Sequence, residues 1–388
     1  MNAQQLPSDP NLSIAELIGR RPRLRSVTMA LVVTNVGVFA VMLGFGAGLW
    51  HAPIEVQLAW GANFGPATQD GAWWRLASAM FLHFGLLHLA LNMWALWDGG
   101  PLVERLYGPA RFAIIYLASG VTGNLLSLVV HGSDTVSGGA SGAIFGVYGA
   151  LLVCLVRERR RLDPLEFRWL FGGAALFAVA TLVMGVFVRG IDNAAHLGGL
   201  AGGALLGALL LRPLLAVDRV PVRGRVAAAT ALIAGLTLLV ANVPPPRYFM
   251  SQELAARDAI RSFVDGERQL GERWQLILEE ASSEGQSFEA LAGRIDEDIA
   301  RGYRDSFAQL GAVTVAPGAP SAATLEALRL YSQRRGEASH ALAEALRSGD
   351  PERVRSAVDA LHQTSPPALE VRRSPPPATT GSASTTKP

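Results

Sequence analysis

Long apolar segments separated by short polar connections dominate the first 246 residues. Each segment is close to the ~20 residues that a helix needs to cross a bilayer. The connection at residues 51–75 is semi-apolar and rich in Trp, which predicts an interfacial, partly embedded hairpin. We predict seven membrane-spanning helices, at Val27–Leu49, Leu76–Trp97, Phe112–Val130, Gly139–Val156, Trp169–Val188, Ala194–Leu211 and Val226–Val243.

The pattern changes after Pro246. Apolar residues there recur at spacings of three and four, which predicts an amphipathic helix. They are Phe288, Leu291, Ile295, Ile299, Tyr303, Phe307 and Leu310. We expect this stripe to form a helix–helix contact, within the tail or with another chain, and binding of a protein partner is a further use. A second helical stretch is predicted from about Ser321 to His362, before a low-complexity end.

These patterns divide the chain into five predicted parts. Residues 1–26 form a polar N-terminal segment and residues 27–211 a membrane domain. Residues 212–246 hold a linker and the seventh helix. Residues 247–364 form a helical tail, and residues 365–388 a Pro/Ser/Thr-rich end without a core.

Composition supports a membrane protein rather than a soluble enzyme. Half of the 388 residues are hydrophobic, 17% are charged, and the mean hydropathy is +0.28. The predicted fold class is therefore an all-α polytopic membrane helical bundle with a helical soluble tail. The single cysteine, Cys154, excludes an intramolecular disulfide. We predict no cleavable signal peptide, because about twenty-six polar residues precede an apolar run too long for one.

Arginine distribution predicts the orientation in the membrane. The N-terminal segment and the 2–3, 4–5 and 6–7 connections hold 4, 2, 5 and 4 Arg. The alternate connections hold only Arg75, none and Arg189. Because positive charge is retained on the cytoplasmic side, we expect a cytoplasmic N-terminus and an extracytoplasmic tail. Lys387 is the only lysine, and this preference for Arg suggests a GC-rich bacterial genome and so a location in a bacterial inner membrane.

Few polar residues interrupt the apolar spans, and such residues are functional candidates. They are His83, His88 and Asn92 in the second span, Ser141 in the fourth and His196 in the sixth. His88 and Asn92 share one helix face, being four residues apart. A nucleophilic serine needs a base and donors for the oxyanion. Ser141 with His196 meets the first need, and His88, Asn92 and the Ser141 backbone N–H meet the second.

Small residues also recur at four-residue steps in the two helices that carry the serine and the last histidine. Such ridges let membrane helices pack backbone to backbone. The fourth span has Gly142, Gly146 and Ala150, and the sixth has Ala195, Gly199, Gly203 and Gly207. Their close packing would bring Ser141 within reach of His196.

Together these motifs resemble those of rhomboid intramembrane serine proteases. They are "GASG" at Gly139–Gly142, the His-x-x-x-Asn of His88–Asn92, "AHLGGLAGG" at Ala195–Gly203 and the "WR" of Trp74–Arg75. "GPLVERLYGPARF" after the second span also has the look of the family. The resemblance spans about residues 27–211, in the expected order.

The resemblance implies a Ser141–His196 dyad that cleaves transmembrane segments of other proteins near their outer ends. It implies an oxyanion hole of His88, Asn92 and the Ser141 amide. Many members carry Tyr four residues after the serine, where this chain has Phe145; a phenyl ring can still stack on the histidine. Supporting residues would be His83, Gly139, Gly142, Phe145, Gly199, Gly203, Trp74 and Arg75. We expect no cofactor, metal or nucleic acid, and as partners the lipid bilayer and transmembrane substrates.

Plainer interpretations accompany each residue. Ser141 is a packing residue if considered alone, His196 an interhelical hydrogen bonder, and His88 with Asn92 polar contacts between helices. His83 either supports the site or lies at the interface, and Trp74 is most simply an interfacial anchor.

Three further residues have their own alternatives. Asp192 completes a Ser-His-Asp triad or caps its helix, and we prefer the cap. We expect His51 and His131 to lie in loops, in contact with solvent.

Two rival functions remain. One is a catalytically silent protein of the same fold that binds membrane helices. The other is a solute transporter or channel, against which the chain shows no inverted repeat.

Overall fold

The computed structural model describes residues 12–19, 26–211, 222–282, 285 and 287–367. These residues form helices and no strand; their only β-type pairings are two isolated bridges. The predicted all-α class is confirmed. The chain divides into two compact units at the predicted start of the tail, residues 1–246 and 247–388. The linker at 212–221 and the end at 368–388 lie outside the described residues.

The first unit holds eleven α-helices within the described residues. They are α1 (Ile14–Ile18), α2 (Ser26–Gly44), α3 (Ile54–Ala59), α4 (Gly65–Thr68), α5 (Arg75–Ser78), α6 (Leu86–Tyr107), α7 (Pro109–His131), α8 (Ser141–Glu158), α9 (Pro164–Phe187), α10 (Asn193–Leu210) and α11 (Val222–Ala241). Six of them, α2 and α7–α11, are long and apolar enough to cross a membrane. A 3-10 helix, Ala79–Phe81, continues α5. Helices α5 and α6 make a seventh span if the bent pair is counted as one.

The second predicted span, Leu76–Trp97, was wrong as a single helix. The chain bends by 93° between Arg75–Phe81 and Leu86–Tyr107. Polar groups freed at the break are paired with the preceding loop: Gln57 donates its side-chain amide to the His83 carbonyl oxygen at 2.8 Å. Gly85 is required there because any Cβ atom would overlap the Trp50 carbonyl oxygen.

The predicted connection after the second span is also helical. Helix α6 continues to Tyr107, past Pro101, and only Gly108 separates it from α7. The φ of Gly108 is +85°, a value that L-residues with side chains rarely adopt. The chain therefore turns between two long helices on a single glycine.

Glu104 near the end of α6 holds the beginning of α2. Its buried carboxylate accepts hydrogen bonds from the Val27 and Thr28 backbone N–H groups at 3.0 and 2.9 Å, and from the Thr28 hydroxyl at 2.7 Å. The first N–H groups of a helix have no partner within it. The Glu104 carboxylate supplies the missing acceptor, a role that the sequence did not predict.

The polar N-terminal segment contains a short helix. Within the described residues, α1 carries a capping box between Ser13 and Glu16, and Ile18 is buried. The Ile14 N–H donates to the Glu166 carboxylate at 2.8 Å, which attaches this segment to the beginning of α9.

The second unit is a helical domain with its own core. Its helices are α12 (Met250–Ser282), α13 (Phe288–Arg294), α14 (Arg301–Ala312), α15 (Ala322–Ser348) and α16 (Pro351–Gln363), with one π-helical segment, Ile295–Ala300, joining α13 to α14. Helix α12 was not predicted. The predicted stretch from Ser321 is two helices, separated by Gly349 in a left-handed conformation, φ +64°.

Most of the predicted amphipathic stripe lies in this core. Ile295, Ile299, Tyr303 and Leu310 are buried against residues of α12 and α15, whereas Phe288 is 67% exposed and was wrongly included. Tyr303 and Tyr331 both donate to the Glu267 carboxylate, at 3.0 and 2.6 Å. The stripe therefore packs within the tail.

Candidate active site

Ser141 is the first residue of α8, and the glycine before it sets its surroundings. Gly139 has φ +133°, which L-residues with side chains rarely adopt. A Cβ atom on Gly139 would lie 2.9 Å from His88 Nε2 and 3.9 Å from Ser141 Oγ. The absent side chain thus leaves room for the imidazole of α6 and the serine hydroxyl to approach the same point.

The loop before Ser141 is held by backbone hydrogen bonds. Ser137 and Asn63 exchange two of them, of 2.8 and 2.9 Å, and the Gly139 N–H donates to the Ala79 carbonyl oxygen at 2.8 Å. Asn63 is itself anchored to α7 through the Asn124 carbonyl oxygen at 2.8 Å. Residues from the connection at 51–75 thereby fix the segment that leads to the serine.

His196 lies in the first turn of α10 and is 3% exposed. The Phe145 ring stacks on it, with centroids 4.2 Å apart and 3° between the planes. Ser141 and Phe145 are four residues apart and so lie on one face of α8. Ser141 is therefore one helical turn from the ring that covers His196.

No hydrogen bond between Ser141 and His196 occurs among the described residues, and the buried His196 Nδ1 has no partner there. Catalytic hydrogen bonds are often long in a free enzyme and shorten when substrate binds. The arrangement brings the two groups to neighbouring helix starts.

Close packing of α8 and α10 places those helix starts together. A Cβ atom on Gly199 would overlap the Gly142 carbonyl oxygen, and one on Gly203 would overlap that of Gly146. Only glycine at these positions permits the observed approach of the two backbones. The predicted small-residue ridges face each other as expected.

His88 and Asn92 lie one turn apart on α6. Asn92 is 6% exposed and donates its side-chain amide to the His88 carbonyl oxygen at 2.9 Å. His88 Nδ1 accepts a long hydrogen bond of 3.5 Å from the Phe84 N–H. A neutral ring whose Nδ1 accepts carries its proton on Nε2, the atom near Gly139.

His83 contacts this group from the break between α5 and α6. Its side chain is fully buried, and its ring packs edge-to-face on His88 with centroids 5.2 Å apart. This burial favours the supporting role for His83, which stays a prediction. His83 lies beside His88.

Trp74 precedes α5 and Arg75 is its first residue, and both side chains lie against the loop at residues 58–62. Arg75 donates to the carbonyl oxygens of Leu58 and Ala62 at 2.7 and 3.2 Å. Trp74 is 55% exposed, and the Arg75 guanidinium lies 5.0 Å from its ring centroid. Both residues therefore contact the loop.

Asp192 caps α10, as preferred from the sequence, by accepting a hydrogen bond from the Ala195 N–H at 2.9 Å. Its contacts to Ser127 and Ser137 were not foreseen. The prediction for His131 was wrong: it ends α7 as a helical residue, and its Nε2 lies 3.4 Å from Asp192. Serines in apolar spans were the available signal for this cluster, but they are also common packing residues.

Comparison with known proteins identifies relatives of this unit. Residues 70–213 match the family model "Rhomboid domain". The rhomboid protease GluP of Bacillus subtilis is 42% identical over 159 residues, which cover 41% of this chain and 30% of GluP. YdcA of the same organism is 36% identical over 183 residues, 45% of this chain and 89% of YdcA. The rhomboid protease AarA of Providencia stuartii is 33% identical over 202 residues, 47% and 71% of the two chains.

Proposed function

The chain belongs to the rhomboid family and is an integral multi-pass membrane protein, and we propose that it is an intramembrane serine endopeptidase. Ser141 is the nucleophile and His196 the general base. The observation that carries this proposal is the stacking of Phe145 on His196, one turn along α8 from Ser141. It supports a serine and an imidazole sharing one small volume.

The reaction follows acyl-transfer chemistry. His196 takes the hydroxyl proton as Ser141 Oγ attacks the carbonyl carbon of the scissile peptide bond. The negative charge that forms on the carbonyl oxygen needs preorganised donors, each worth about 3 kcal/mol. His88 Nε2–H, the Asn92 side-chain amide and the Ser141 backbone N–H supply them; the last is one of the N–H groups left unpaired at a helix start. His196 then protonates the leaving amine as the peptide C–N bond breaks. Water hydrolyses the ester of the acyl-enzyme, which frees the second product and restores the Ser141 hydroxyl.

Substrates are transmembrane segments of other proteins, which approach from the lipid beside α9. Only Ala174 and Ala178 are buried along the whole of α9. Its contacts toward the site include Phe177, whose ring lies 5.8 Å from Phe145. A helical substrate hides its carbonyl groups in hydrogen bonds, so local unwinding must precede attack. Substrates with Gly, Ala, Ser or Pro near the outer end are therefore preferred.

The orientation is part of the proposal. A cytoplasmic N-terminus places the beginnings of α8 and α10 near the outer face of a bacterial inner membrane and the tail outside. Reporter fusions after α9 and at the C-terminus test this orientation. Both should report an extracytoplasmic position, and a fusion in the connection between α8 and α9 should report a cytoplasmic one. A cytoplasmic tail would reverse the assignment.

Cleavage by reconstituted protein tests the activity. The wild type and Ser141→Ala are reconstituted with a tagged single-span substrate that carries a Gly/Ala-rich outer segment, and products are sized by mass spectrometry. We expect one cut within or near the span, absent in Ser141→Ala and in His196→Ala. Substrate that co-purifies with all three proteins, uncut, would instead support the catalytically silent helix binder.

A further inference from the structure

The Asp192 carboxylate joins three separate segments around the candidate site. Oδ1 accepts from the Ala195 N–H at 2.9 Å. Oδ2 accepts from the hydroxyls of Ser127 and Ser137, both at 2.5 Å. Hydrogen bonds of a hydroxyl to an ionised carboxylate are short and about twice as strong as neutral ones. One side chain thus links α7, the loop before α8 and the start of α10.

Two of the residues joined by these hydrogen bonds lie four positions before the proposed nucleophile and base. Ser137 precedes Ser141 by four residues, and Asp192 precedes His196 by four. Ser127 is buried on α7, a helix that packs against both α8 and α10, at 2% exposure. Because α7 is a long packed helix, it gives the loop before α8 and the start of α10 a common fixed point. A displacement of Asp192 would move the nucleophile and the base relative to each other.

Contact with the reacting imidazole is not part of this arrangement. Within the described residues, His196 Nδ1 has no hydrogen-bond partner, and the Asp192 oxygens are bonded to Ser127, Ser137 and Ala195. The charged or titratable group nearest to the carboxylate is His131, whose Nε2 lies 3.4 Å from Oδ1. A Ser-His-Asp triad is therefore not formed, and any effect of Asp192 acts through position.

We propose that Asp192 is a positioning residue that sets the distance between Ser141 and His196 through its paired bonds to Ser137 and Ser127. The inference rests on the proposed protease activity. A misplacement of about 1 Å can lower a reaction rate about 100-fold. Loss of these bonds should therefore change kcat more than KM.

The variant Asp192→Asn isolates the serine bonds from the helix cap. Asparagine caps a helix as well as aspartate does, so the Ala195 bond is retained. Its amide nitrogen accepts nothing, so the paired hydroxyls lose their ionised acceptor. Asp163→Asn is the matched control: Asp163 caps α9 by the same chemistry, accepting from the Leu165 and Glu166 N–H groups, with no serine bonded to it.

We expect Asp192→Asn to lower kcat about 10- to 100-fold with KM little changed. The labelling rate of Ser141 by a fluorophosphonate should fall by a similar factor. Ser127→Ala/Ser137→Ala should show the same loss, and adding Asp192→Asn to it should cost little more. Asp163→Asn should match the wild type. A KM effect alone, or full kcat in Asp192→Asn, would overturn the inference.

A second measurement separates this inference from the activity itself. Hydrogen exchange at residues 133–141 should speed up about tenfold in Asp192→Asn and stay unchanged in Asp163→Asn, whether or not the wild type cleaves a substrate. Unchanged exchange would reject the positioning role. If the wild type neither cleaves substrate nor is labelled, but Asp192→Asn still alters exchange, the protease activity is rejected and the structural role of Asp192 is retained. Ser137→Ala, a milder change, replaces Asp192→Asn if that variant fails to fold.

Discussion

The rings of Phe145 and His196 lie almost parallel, 3° apart in plane, with centroids separated by 4.2 Å. Phe145 is 1% exposed and also contacts Phe177 of α9, at 5.8 Å between centroids. The stack therefore fixes the plane of the proposed base from one side while touching the helix beside which substrate is proposed to enter.

Replacing the ring tests that role. Phe145→Leu keeps much of the volume but offers no planar face, and aromatic pairs contribute about 0.5–1.5 kcal/mol beyond their burial. We expect kcat to fall about 3- to 10-fold in reconstituted cleavage assays, whereas Phe145→Tyr, which keeps the ring, retains activity. Equal rates for Leu and Phe at this position would show that the stack does not orient His196.

Gly199→Ala tests the close approach of α8 and α10. Its methyl group would overlap the Gly142 carbonyl oxygen, and overpacking of this kind costs about 1–3 kcal/mol. We expect a lower unfolding temperature in detergent micelles and loss of cleavage. Gly173→Ala on α9, where nothing lies within 4 Å of the added Cβ, is the control and should be neutral or slightly stabilising.

Glu104 should matter for stability more than for chemistry. Glu104→Ala leaves the buried N–H groups of Val27 and Thr28 without their acceptor, at a cost of about 1–3 kcal/mol. We expect a lower unfolding temperature, with the cleavage rate per folded molecule preserved. Glu16→Gln changes an exposed carboxylate that, within the described residues, bonds to Ser13, and it should shift neither quantity measurably. A Glu104→Ala protein as stable as the wild type would contradict the assigned cap.

In the tail, stability should depend on pH through Asp296. Burial raises the pKa of this carboxyl, but the His340 hydrogen bond of 2.8 Å and the charges of His340, Arg304 and Arg347 outweigh burial and lower it. A carboxyl whose pKa is lower in the folded state stabilises the fold above its unfolded pKa and loses that contribution as pH falls. The loss therefore begins near pH 4 and continues below it.

Hydrogen exchange of α13–α15 in the full-length protein checks this effect. Asp296→Asn should accelerate exchange at pH 7, by the equivalent of about 1 kcal/mol, and differ less from the wild type at pH 3.5. Asp258→Asn, an exposed carboxyl on α12, is the control. An equal difference between Asp296→Asn and the wild type at both pH values would show that its charge is not the cause.

The sequence was sufficient where the signal is local. Hydropathy predicted the membrane helices, and the four-residue glycine steps predicted that α8 and α10 face each other. Ser141, His196 and His88 were singled out because polar residues in an apolar span are functional candidates, and their joint role as a catalytic group stays a prediction.

Distant contacts could not be predicted in the same way. Apolar character continues across the break after Phe81, and the bend is held by remote partners: Gln57 donates to the His83 carbonyl oxygen, and Gly85 lies against the Trp50 carbonyl group. Glu104 and Asp192 serve helix starts that are remote in sequence or shared between segments. Helix α12 was missed although its core residues recur every seven residues, because many charged residues lie between them and no long apolar run marks the helix. These core residues are Ala256, Phe263, Leu270 and Ile277.

Helix α9 has a physical consequence for the lipid itself. Its apolar residues 169–187 give a length of about 29 Å, which matches the ~30 Å hydrocarbon thickness of a typical bilayer. In a thinner bilayer the helix tilts or locally thickens the lipid, at a modest cost for each ångström of mismatch. With only two buried residues to resist, α9 can change its tilt with acyl-chain length. Membrane thickness would thus control the width of the substrate path proposed beside α9.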